Sequence, residues 1–180
     1  MPFLYLFLIQ FISSCTYTPE GIHAVDNFEV NRYLGNWYEI ARLDHHFERG
    51  LNNISAEYSL KEDGGIKVVN RGTEIETGKL KQAEGNAYFI GKQNVGSLKV
   101  SFFGPFYGGY HIIELDKKNY QYAMVAGPDL DYLWILCRQP KLQPVILNQL
   151  IKQAKALGFA VDKLIFPEHS QQKSESDGNT

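Results

Sequence analysis

The stretch NRYLGNWYEIARL, from Asn31 to Leu43, places a glycine two residues before a tryptophan and then alternates apolar with polar side chains. This alternation predicts a β-strand, since successive side chains of a strand point to opposite faces. Gly35 gives the chain the freedom for a tight turn just before the large indole of Trp37 turns inward. Counting by twos from the tryptophan, the inward positions are predicted to be Glu39, Ala41 and Leu43.

Seven further strand-like segments follow, separated by short turns such as KEDGGIK and DKKNYQ. The eight predicted strands span residues 37–43, 54–60, 66–73, 79–90, 98–103, 110–115, 120–126 and 132–138. Turns this short, carrying Gly or Asn, are typical of antiparallel neighbours. The sequence therefore predicts an all-β fold, an eight-stranded antiparallel up-and-down barrel. Eight is the number of strands at which a closed barrel can hold one small ligand.

One long helix is predicted after the sheet. Pro144 lies in its first turn, apolar residues recur at helical spacing, and Gly158 is typical of a helix end. We expect this α-helix to pack its apolar stripe on the outside of the barrel. A turn of helix is also expected at 28–34, before the first strand, and a short last strand at 161–166.

The N-terminus has the character of an export signal. Residues 3–12 are apolar apart from Gln10, a run too short to span ~30 Å of hydrocarbon but typical of a signal-peptide core. Small residues then precede Cys15, which resembles a bacterial lipobox and predicts lipidation of that cysteine, although no Lys or Arg precedes the run. The alternative is a plain secretory signal in which Cys15 is incidental.

These features divide the chain into a signal peptide (1–14), a tether (15–24), a barrel domain (25–167) and a disordered polar tail (168–180). The residue after Cys15 is Thr16 rather than Asp, which favours a lipid anchor in the outer membrane, at its periplasmic face. Lipidation would leave Cys137 as the one thiol of the mature chain, so no internal disulfide is predicted.

Charge and motifs exclude several functional classes. The 18 Lys and Arg are scattered and are outnumbered by 20 Asp and Glu, so the chain lacks the basic stripe that nucleic-acid binding requires. No Gly-rich phosphate loop, Gly-x-Ser-x-Gly or Cys-x-x-Cys occurs. We therefore predict no nucleic-acid partner, no cofactor and no enzymatic activity.

Three separated motifs, in this order, resemble the signatures of the lipocalin family, and most of all its bacterial members. They are Gly35-Asn36-Trp37 at the first strand, GPDLDYLW with Asp131 before the last strand, and Arg138 at the end of that strand. The resemblance extends over about 25–166. It implies that the tryptophan plugs the closed end of the barrel, with the arginine across its ring as a cation–π partner. Gly35, Trp37, Asp131 and Arg138 are therefore expected to be structural.

The resemblance also implies binding rather than catalysis, with a fatty acid or lysophospholipid stored or carried in the barrel. Such a lumen needs an apolar wall with a few polar groups near its mouth. The predicted ligand contacts are Trp134, Tyr132, Tyr110, Ile112, Ala41, Phe102 and Val100. Strand parity predicts that Leu98 and Leu136 also face inward. Ala41, Ala56 and Ala87 are small enough to leave volume for the ligand, although each of these positions is also compatible with an ordinary core.

Two alternatives stay open. A lipid-modifying enzyme would use His45, His46 or Cys137, although the cysteine is expected to face outward, under the helix. A protein-interaction module would use the apolar loop from Gly104 to Tyr110, and a contact between two copies in a homodimer is one form of it. Adjacent histidines do not easily share one metal, so no metal site is predicted. The histidines are instead expected to make the rim polar and to contact a lipid phosphate when protonated.

Overall fold

Eight antiparallel strands form a closed barrel in a computed structural model of the protein, which describes residues 16–170. Each strand pairs with its neighbours in sequence, and the last pairs with the first. The strands are β1 (Gly35–Arg42), β2 (Leu51–Leu60), β3 (Ile66–Glu74), β4 (Leu80–Phe89), β5 (Ser97–Ser101), β6 (Gly108–Leu115), β7 (Tyr122–Ala126) and β8 (Leu133–Cys137). The predicted up-and-down barrel is confirmed, with each strand close to its predicted bounds.

Two α-helices flank the barrel in sequence: α1 (Val30–Tyr33) precedes β1, and α2 (Pro144–Ala156) follows β8. Helix α2 packs on the outside of the barrel, as predicted, and buries Leu150 and Ala154 there. The strand predicted at 161–166 was wrong. Residues Val161–Lys163 form a 3-10 turn, and only Ile165 makes a β-bridge, with Arg42.

Buried side chains form two clusters, one on each side of the barrel wall. The inner cluster contains Trp37 and apolar residues from all eight strands. The outer cluster joins the other face of β1, β7 and β8 to α2. The barrel is thus filled from within at its closed end and is covered from outside by the helix.

A β-bulge in β1 shifts its register with β8 between Glu39 and Ala41. Because of this extra residue, Ile40 and Ala41 both belong to the outer cluster. Arg42 then turns inward, where it bonds to Glu39. The prediction that Ala41 and Leu43 face the lumen was therefore wrong, since parity counted from Trp37 is lost at the bulge.

The end of the barrel near Trp37 is closed by a set of bonds around Arg138. Its guanidinium carbon lies 4.0 Å from the centroid of the fully buried Trp37 ring. Its nitrogens donate hydrogen bonds to the carbonyls of Asn36 (2.9 Å), Arg32 (2.8 Å) and Tyr120 (3.2 Å). One side chain therefore connects α1, β1 and the β6–β7 turn.

The glycine before the tryptophan serves this same closure. Gly35 has φ +89°, a conformation that other L-residues rarely adopt, and a Cβ there would lie 3.5 Å from Nη1 of Arg138. Asp131, the other expected structural residue, lies in an exposed turn, where its backbone N–H donates to Oδ1 of Asp129 at 2.9 Å.

Both ends of the described chain pack on the barrel. Ile22, in the expected tether, is buried in the outer cluster. In the expected disordered tail, the carbonyl of Glu168 accepts a hydrogen bond from the N–H of Asn53, whose Oδ1 accepts one from the N–H of Ser170. The predicted end of the tether, at residue 24, and the predicted start of the tail, at residue 168, therefore both lie inside the ordered domain. Cys15, the predicted signal peptide and residues 171–180 lie outside the described residues.

Over residues 16–170, no helix has both the length and the apolar character needed to cross a membrane.

Arg138→Ala is expected to lower the free energy of unfolding by roughly 3 kcal/mol, since it removes a cation–π contact and charge-assisted hydrogen bonds together. Arg138→Lys should lose less, because it keeps the charge. Urea unfolding measures both variants. The control is Arg71→Ala, which breaks an exposed ion pair with Glu57 and should change stability by less than about 1 kcal/mol. Equal losses in Arg138→Ala and the control would contradict this prediction.

Candidate ligand site in the barrel lumen

Most of the predicted contact residues lie in the inner cluster. Trp134 from β8, Tyr110 from β6 and Val100 from β5 pack there. Phe102, just after β5, and Ile112 join them. Ile112 is fully buried, so its side chain lies behind the surface that a ligand would touch, whereas the other four residues keep accessible surface.

The wall built from β2, β3 and β4 carries several small inward residues. Ile66 and Val68 of β3 face inward. Because β3 pairs with β4 in regular register, the residues of β4 that lie opposite them face inward as well. The small inward residues are Ala56, Gly72, Ala83, Gly85 and Ala87. The alanines leave space that larger side chains would fill, whereas the Phe102 ring covers Gly85.

Gly85 has a more specific role in this wall. A Cβ at this position would lie 2.8 Å from Cδ1 of Phe102 and 2.7 Å from the carbonyl oxygen of Ser101. A Cβ atom essentially never lies this close to another non-bonded heavy atom, so the Phe102 ring takes its position only because residue 85 has no side chain. Glycine thereby lets an aromatic ring approach the sheet closely at this point.

Three tyrosine hydroxyls form a connected group beside Trp37. The hydroxyl of Tyr110 shares hydrogen bonds with those of Tyr33 (2.7 Å) and Tyr58 (2.9 Å). Burial raises the pKa of Tyr58 to about 12 and also raises the pKa of the other two tyrosines well above 10. All three therefore remain uncharged, and the Tyr33 ring packs 4.6 Å from the Trp37 ring. This group is the floor of the lumen.

A charged cluster lies between the floor and the open end. Arg42 Nη1 donates to Oε1 of Glu39 at 2.7 Å, and Arg42 Nη2 donates to the carbonyl of Glu48 at 3.0 Å. Trp134 Nε1 donates to Oε2 of Glu48 at 3.1 Å. The exposed fractions of Glu39, Arg42 and Glu48 are 3%, 2% and 8%, so one guanidinium and two carboxyl groups share a site almost free of water.

Burial favours the protonated form of both glutamates in this cluster. Burial, followed by the nearby Glu48, raises the pKa of Glu39 to about 8. Burial also raises the pKa of Glu48 itself. Removing carboxylates from water disfavours their charged form, and one guanidinium can balance only one of them. The site therefore disfavours two full negative charges.

His45 lies at the mouth in an aromatic stack rather than on a polar rim. Its ring is 5.3 Å from Phe47, 4.9 Å from Tyr132 and 4.6 Å from Trp134. Burial, with a further contribution from Arg42, lowers its pKa to about 4. Without a ligand His45 is therefore uncharged near neutral pH, whereas the predicted contact with a lipid phosphate requires its protonated form. Tyr132, a predicted contact, lies at the mouth through this stack.

The residues of the enzymatic alternative lie apart. Cys137 is buried in the outer cluster, and burial raises the pKa of its thiol, so it is a small apolar residue under α2 rather than a nucleophile. His45 lies on the other side of the wall, and His46 is exposed. Among residues 16–170, no three His, Cys, Asp or Glu side chains are placed to hold a metal ion.

The β5–β6 loop carries the apolar tip that was predicted for it. Phe103 and Phe106 are each 80% exposed, and Lys99 Nζ lies 4.9 Å from the ring of Tyr107. This loop is at the open end of the barrel, because alternate connections of an up-and-down barrel share an end and β1 begins at the closed one. A separate recess of about 510 Å³ lies outside the barrel, between Ile40 and Pro144.

Sequence reasoning missed three residues of the lumen. Tyr58 shares its strand parity with Ala56, so the same counting could have found it. Tyr33 precedes the sheet, where no period of two applies. Arg42 was assigned outward because nothing in the local pattern of β1 marks the bulge.

A family model described as a lipocalin-like domain matches residues 28–169. Two similar proteins are named outer membrane lipoprotein Blc. The one from Vibrio cholerae serotype O1 is 52% identical over 155 residues, covering 86% of this chain and 91% of that protein. The one from Escherichia coli strain K12 is 51% identical over 160 residues, covering 89% of each.

More distant similarities agree with these. Apolipoprotein D of Rattus norvegicus is 37% identical over 131 residues, which is 69% of this chain and 68% of that protein. Among solved structures, insecticyanin from the tobacco hornworm Manduca sexta superposes with a TM-score of 0.69 at 22% identity, covering 87% of this chain and 88% of that one. At this identity the superposition establishes the fold alone.

Glu39→Gln is expected to stabilise the protein at alkaline pH. Because the pKa of Glu39 is raised from 4.5 to about 8 on folding, the folded chain keeps a proton that the unfolded chain releases. The parent therefore loses stability as the pH rises through that interval, and the variant lacks this loss. Its midpoint of thermal unfolding should exceed the parent's by a few degrees at about pH 9, and by less at about pH 5.

The control for this measurement is Glu57→Gln, which removes an exposed carboxylate from the outer face of β2. It should follow the pH dependence of the parent. A difference between Glu39→Gln and the parent that does not change with pH would contradict the raised pKa.

Proposed function

The chain belongs to the lipocalin family, as its three motifs predicted, and we propose that it stores or carries one fatty acid or lysophospholipid in its barrel. The observation that supports this proposal is the inner face of the barrel, where the small residues Ala56, Ala83 and Ala87 occur together with accessible Trp134, Tyr110, Phe102 and Val100. We expect an acyl chain to lie against this apolar face. Each methylene moved from water into such a site contributes about 0.8 kcal/mol.

The direction of entry follows from the two ends of the barrel. Trp37 and Arg138 close one end, so the lipid enters at the other, tail first. Its acyl chain then lies above the tyrosine floor. Its head group remains near the mouth, where Tyr132 and Trp134 offer aromatic surface and the Arg42 cluster offers charge.

We further propose that Cys15 is lipidated and tethers the barrel to the periplasmic face of an outer membrane. The names of the relatives from Vibrio cholerae and Escherichia coli support this proposal, as does the lipobox-like sequence before the cysteine. Two acyl chains suffice for stable anchoring. A membrane-tethered lipid carrier is close to lipids released by damage or turnover of that membrane.

The proposed function predicts saturable binding of lysophosphatidylcholine that quenches intrinsic tryptophan fluorescence. The chain has two tryptophans, and Trp37 is sealed in the closed end, so the quenched signal should come from Trp134 and should disappear in Trp134→Phe. Mass spectrometry should recover the lipid unaltered. A lipid returned in hydrolysed form would support the enzymatic alternative, and a fluorescence signal that does not saturate would contradict the carrier.

Ala56→Phe tests whether the ligand occupies the space beside the small inward residue of β2. The added ring should fill the lumen and weaken lysophosphatidylcholine binding at least tenfold, a loss of about 1.4 kcal/mol. The control is Ser59→Phe, which adds the same ring to an exposed outward position of the same strand. Unchanged affinity in the folded Ala56→Phe variant, or an equal loss in the control, would contradict a ligand against β2.

A second candidate function is contact with a second copy through the loop from Gly104 to Tyr110. The open end carries six large apolar side chains that are each 40% exposed or more. They are Phe47, Ile75, Leu80, Phe103, Phe106 and Leu130. So many exposed apolar groups at one end are typical of an interaction surface.

Phe106→Asp is expected to convert a dimer to a monomer, because it places a charge in the apolar contact while leaving the lumen intact. Sedimentation velocity measures the change, and lipid titration checks that affinity persists. Val145→Asp is the control, since Val145 is 71% exposed on α2, away from the loop. A parent that sediments as a monomer at all concentrations would overturn this candidate function.

A further inference from the structure

We propose that residues 165–170, the C-terminal strap, must detach from the barrel before a lipid enters or leaves the lumen. This inference rests on the proposed function, since it concerns how the same lumen is filled and emptied. It adds a control over the rate of lipid exchange. The apolar wall that lines the lumen sets how tightly a lipid is held and does not determine how fast it passes the mouth.

The barrel wall has a gap between β1 and β2 in its open half. The two strands pair from Gly35 with Tyr58 as far as Tyr38 with Ser55. Within β1, all of which lies in the described part of the chain, residues 39–42 have no partner in β2. Because β1 begins at the closed end, this gap lies toward the mouth.

The C-terminal strap fills the gap and bonds to β1 on one side. The backbones of Ile165 and Arg42 exchange two hydrogen bonds, of 2.8 and 3.0 Å. Nε2 of His169 donates to the carbonyl of Glu39 at 2.6 Å. The C-terminal strap thereby satisfies backbone groups of β1 that have no partner in β2.

Two asparagines of β2 hold the other side of the C-terminal strap. The N–H of Asn53 donates to the carbonyl of Glu168 at 2.8 Å, and Oδ1 of Asn52 accepts a bond from the N–H of Glu168 at 3.1 Å. Oδ1 of Asn53 also accepts one from the N–H of Ser170 at 2.7 Å. The C-terminal strap is therefore a piece of the wall inserted between two strands.

Hydrogen bonds hold the C-terminal strap more than apolar burial does. Pro167 is the one buried residue of the six, and Phe166 is 52% exposed. Pro167 and His169 border the recess of about 510 Å³ outside the barrel, so part of the C-terminal strap faces open space. Segments with few buried apolar contacts open locally while the rest of a protein stays folded. We therefore expect the C-terminal strap to detach without unfolding of the barrel.

Detachment would act on the mouth of the barrel. Arg42 bonds to Ile165 through its backbone and to the carbonyl of Glu48 through its side chain. Oε2 of Glu48 in turn accepts a bond from Nε1 of Trp134, a proposed ligand contact. Without the C-terminal strap, β1 and β2 are joined beyond Tyr38 only by their connecting loop, so the mouth can widen where the lipid passes.

The experiment loosens both sides of the C-terminal strap in the full-length chain with the double variant Asn52→Ala/His169→Ala. The matched control is His23→Ala/Asn86→Ala, which removes the same residue types at exposed positions before α1 and on β4. Stopped-flow tryptophan fluorescence measures the association of lysophosphatidylcholine, and dilution of the complex measures its dissociation. Hydrogen exchange of the Asn53 amide reports detachment without any lipid.

Both rate constants should rise about tenfold in the double variant, because two hydrogen bonds that hold the C-terminal strap are lost. The dissociation constant should change by less than about twofold, because a segment that opens equally with and without lipid does not shift the binding equilibrium. Exchange of the Asn53 amide should accelerate as well. The control should match the parent in all of these measurements.

A chain that ends at Phe166 and so lacks most of the C-terminal strap is the second variant, and a chain that ends at Ser170 is its control. Unchanged rates in either folded variant, or an equal rise in a control, would overturn the inference and leave the proposed carrier standing. Weaker affinity with an unchanged association rate would overturn it as well. Failure of lysophosphatidylcholine to bind the parent would overturn the proposed function, and the inference with it.

Discussion

The contact between Arg138 and Trp37 is the interaction on which the rest of the structure depends. An eight-stranded barrel has an interior just wide enough to be filled by side chains or to hold one small ligand. Here a single guanidinium covers the indole and bonds to three carbonyls from α1, β1 and the β6–β7 turn. With that end fixed, apolar residues need not fill the whole interior, and the upper part of the barrel is free for other uses.

The chemical character of the residues that line the lumen therefore changes along the barrel axis. Uncharged tyrosine hydroxyls form the floor, small residues and aromatic rings form the middle, and a compensated charge cluster lies toward the mouth. Buried charges of this kind are rarely favourable for stability alone, since their desolvation offsets much of their attraction. Their retention in a ligand site is easier to understand if they act on the ligand.

Alternation, turn residues and helical spacing are local signals, and they were sufficient for the barrel and the outer helix. The sealed end was implied by the resemblance of three motifs to those of the lipocalin family. The local signals also placed Trp134, Tyr110, Val100 and Phe102 on the inner face. They failed for Ala41, which lies beyond a bulge that only the pairing of β1 with β8 defines. Partners outside the strands, such as Tyr33 at the end of α1 and Glu48 between β1 and β2, depend on how the chain closes in three dimensions and carry no periodic trace.

The bulge in β1 also affects which mutations this strand can accept. A substitution at Ile40 alters one contact, whereas one added codon between Ala41 and Arg42 would change the side of the wall on which the following residues lie. The guanidinium would then enter the apolar layer beneath α2 and leave Glu39 and Glu48 without their cation. At this bulge a change in chain length moves several side chains at once, so insertions and deletions should be purged there more strictly than substitutions at Ile40.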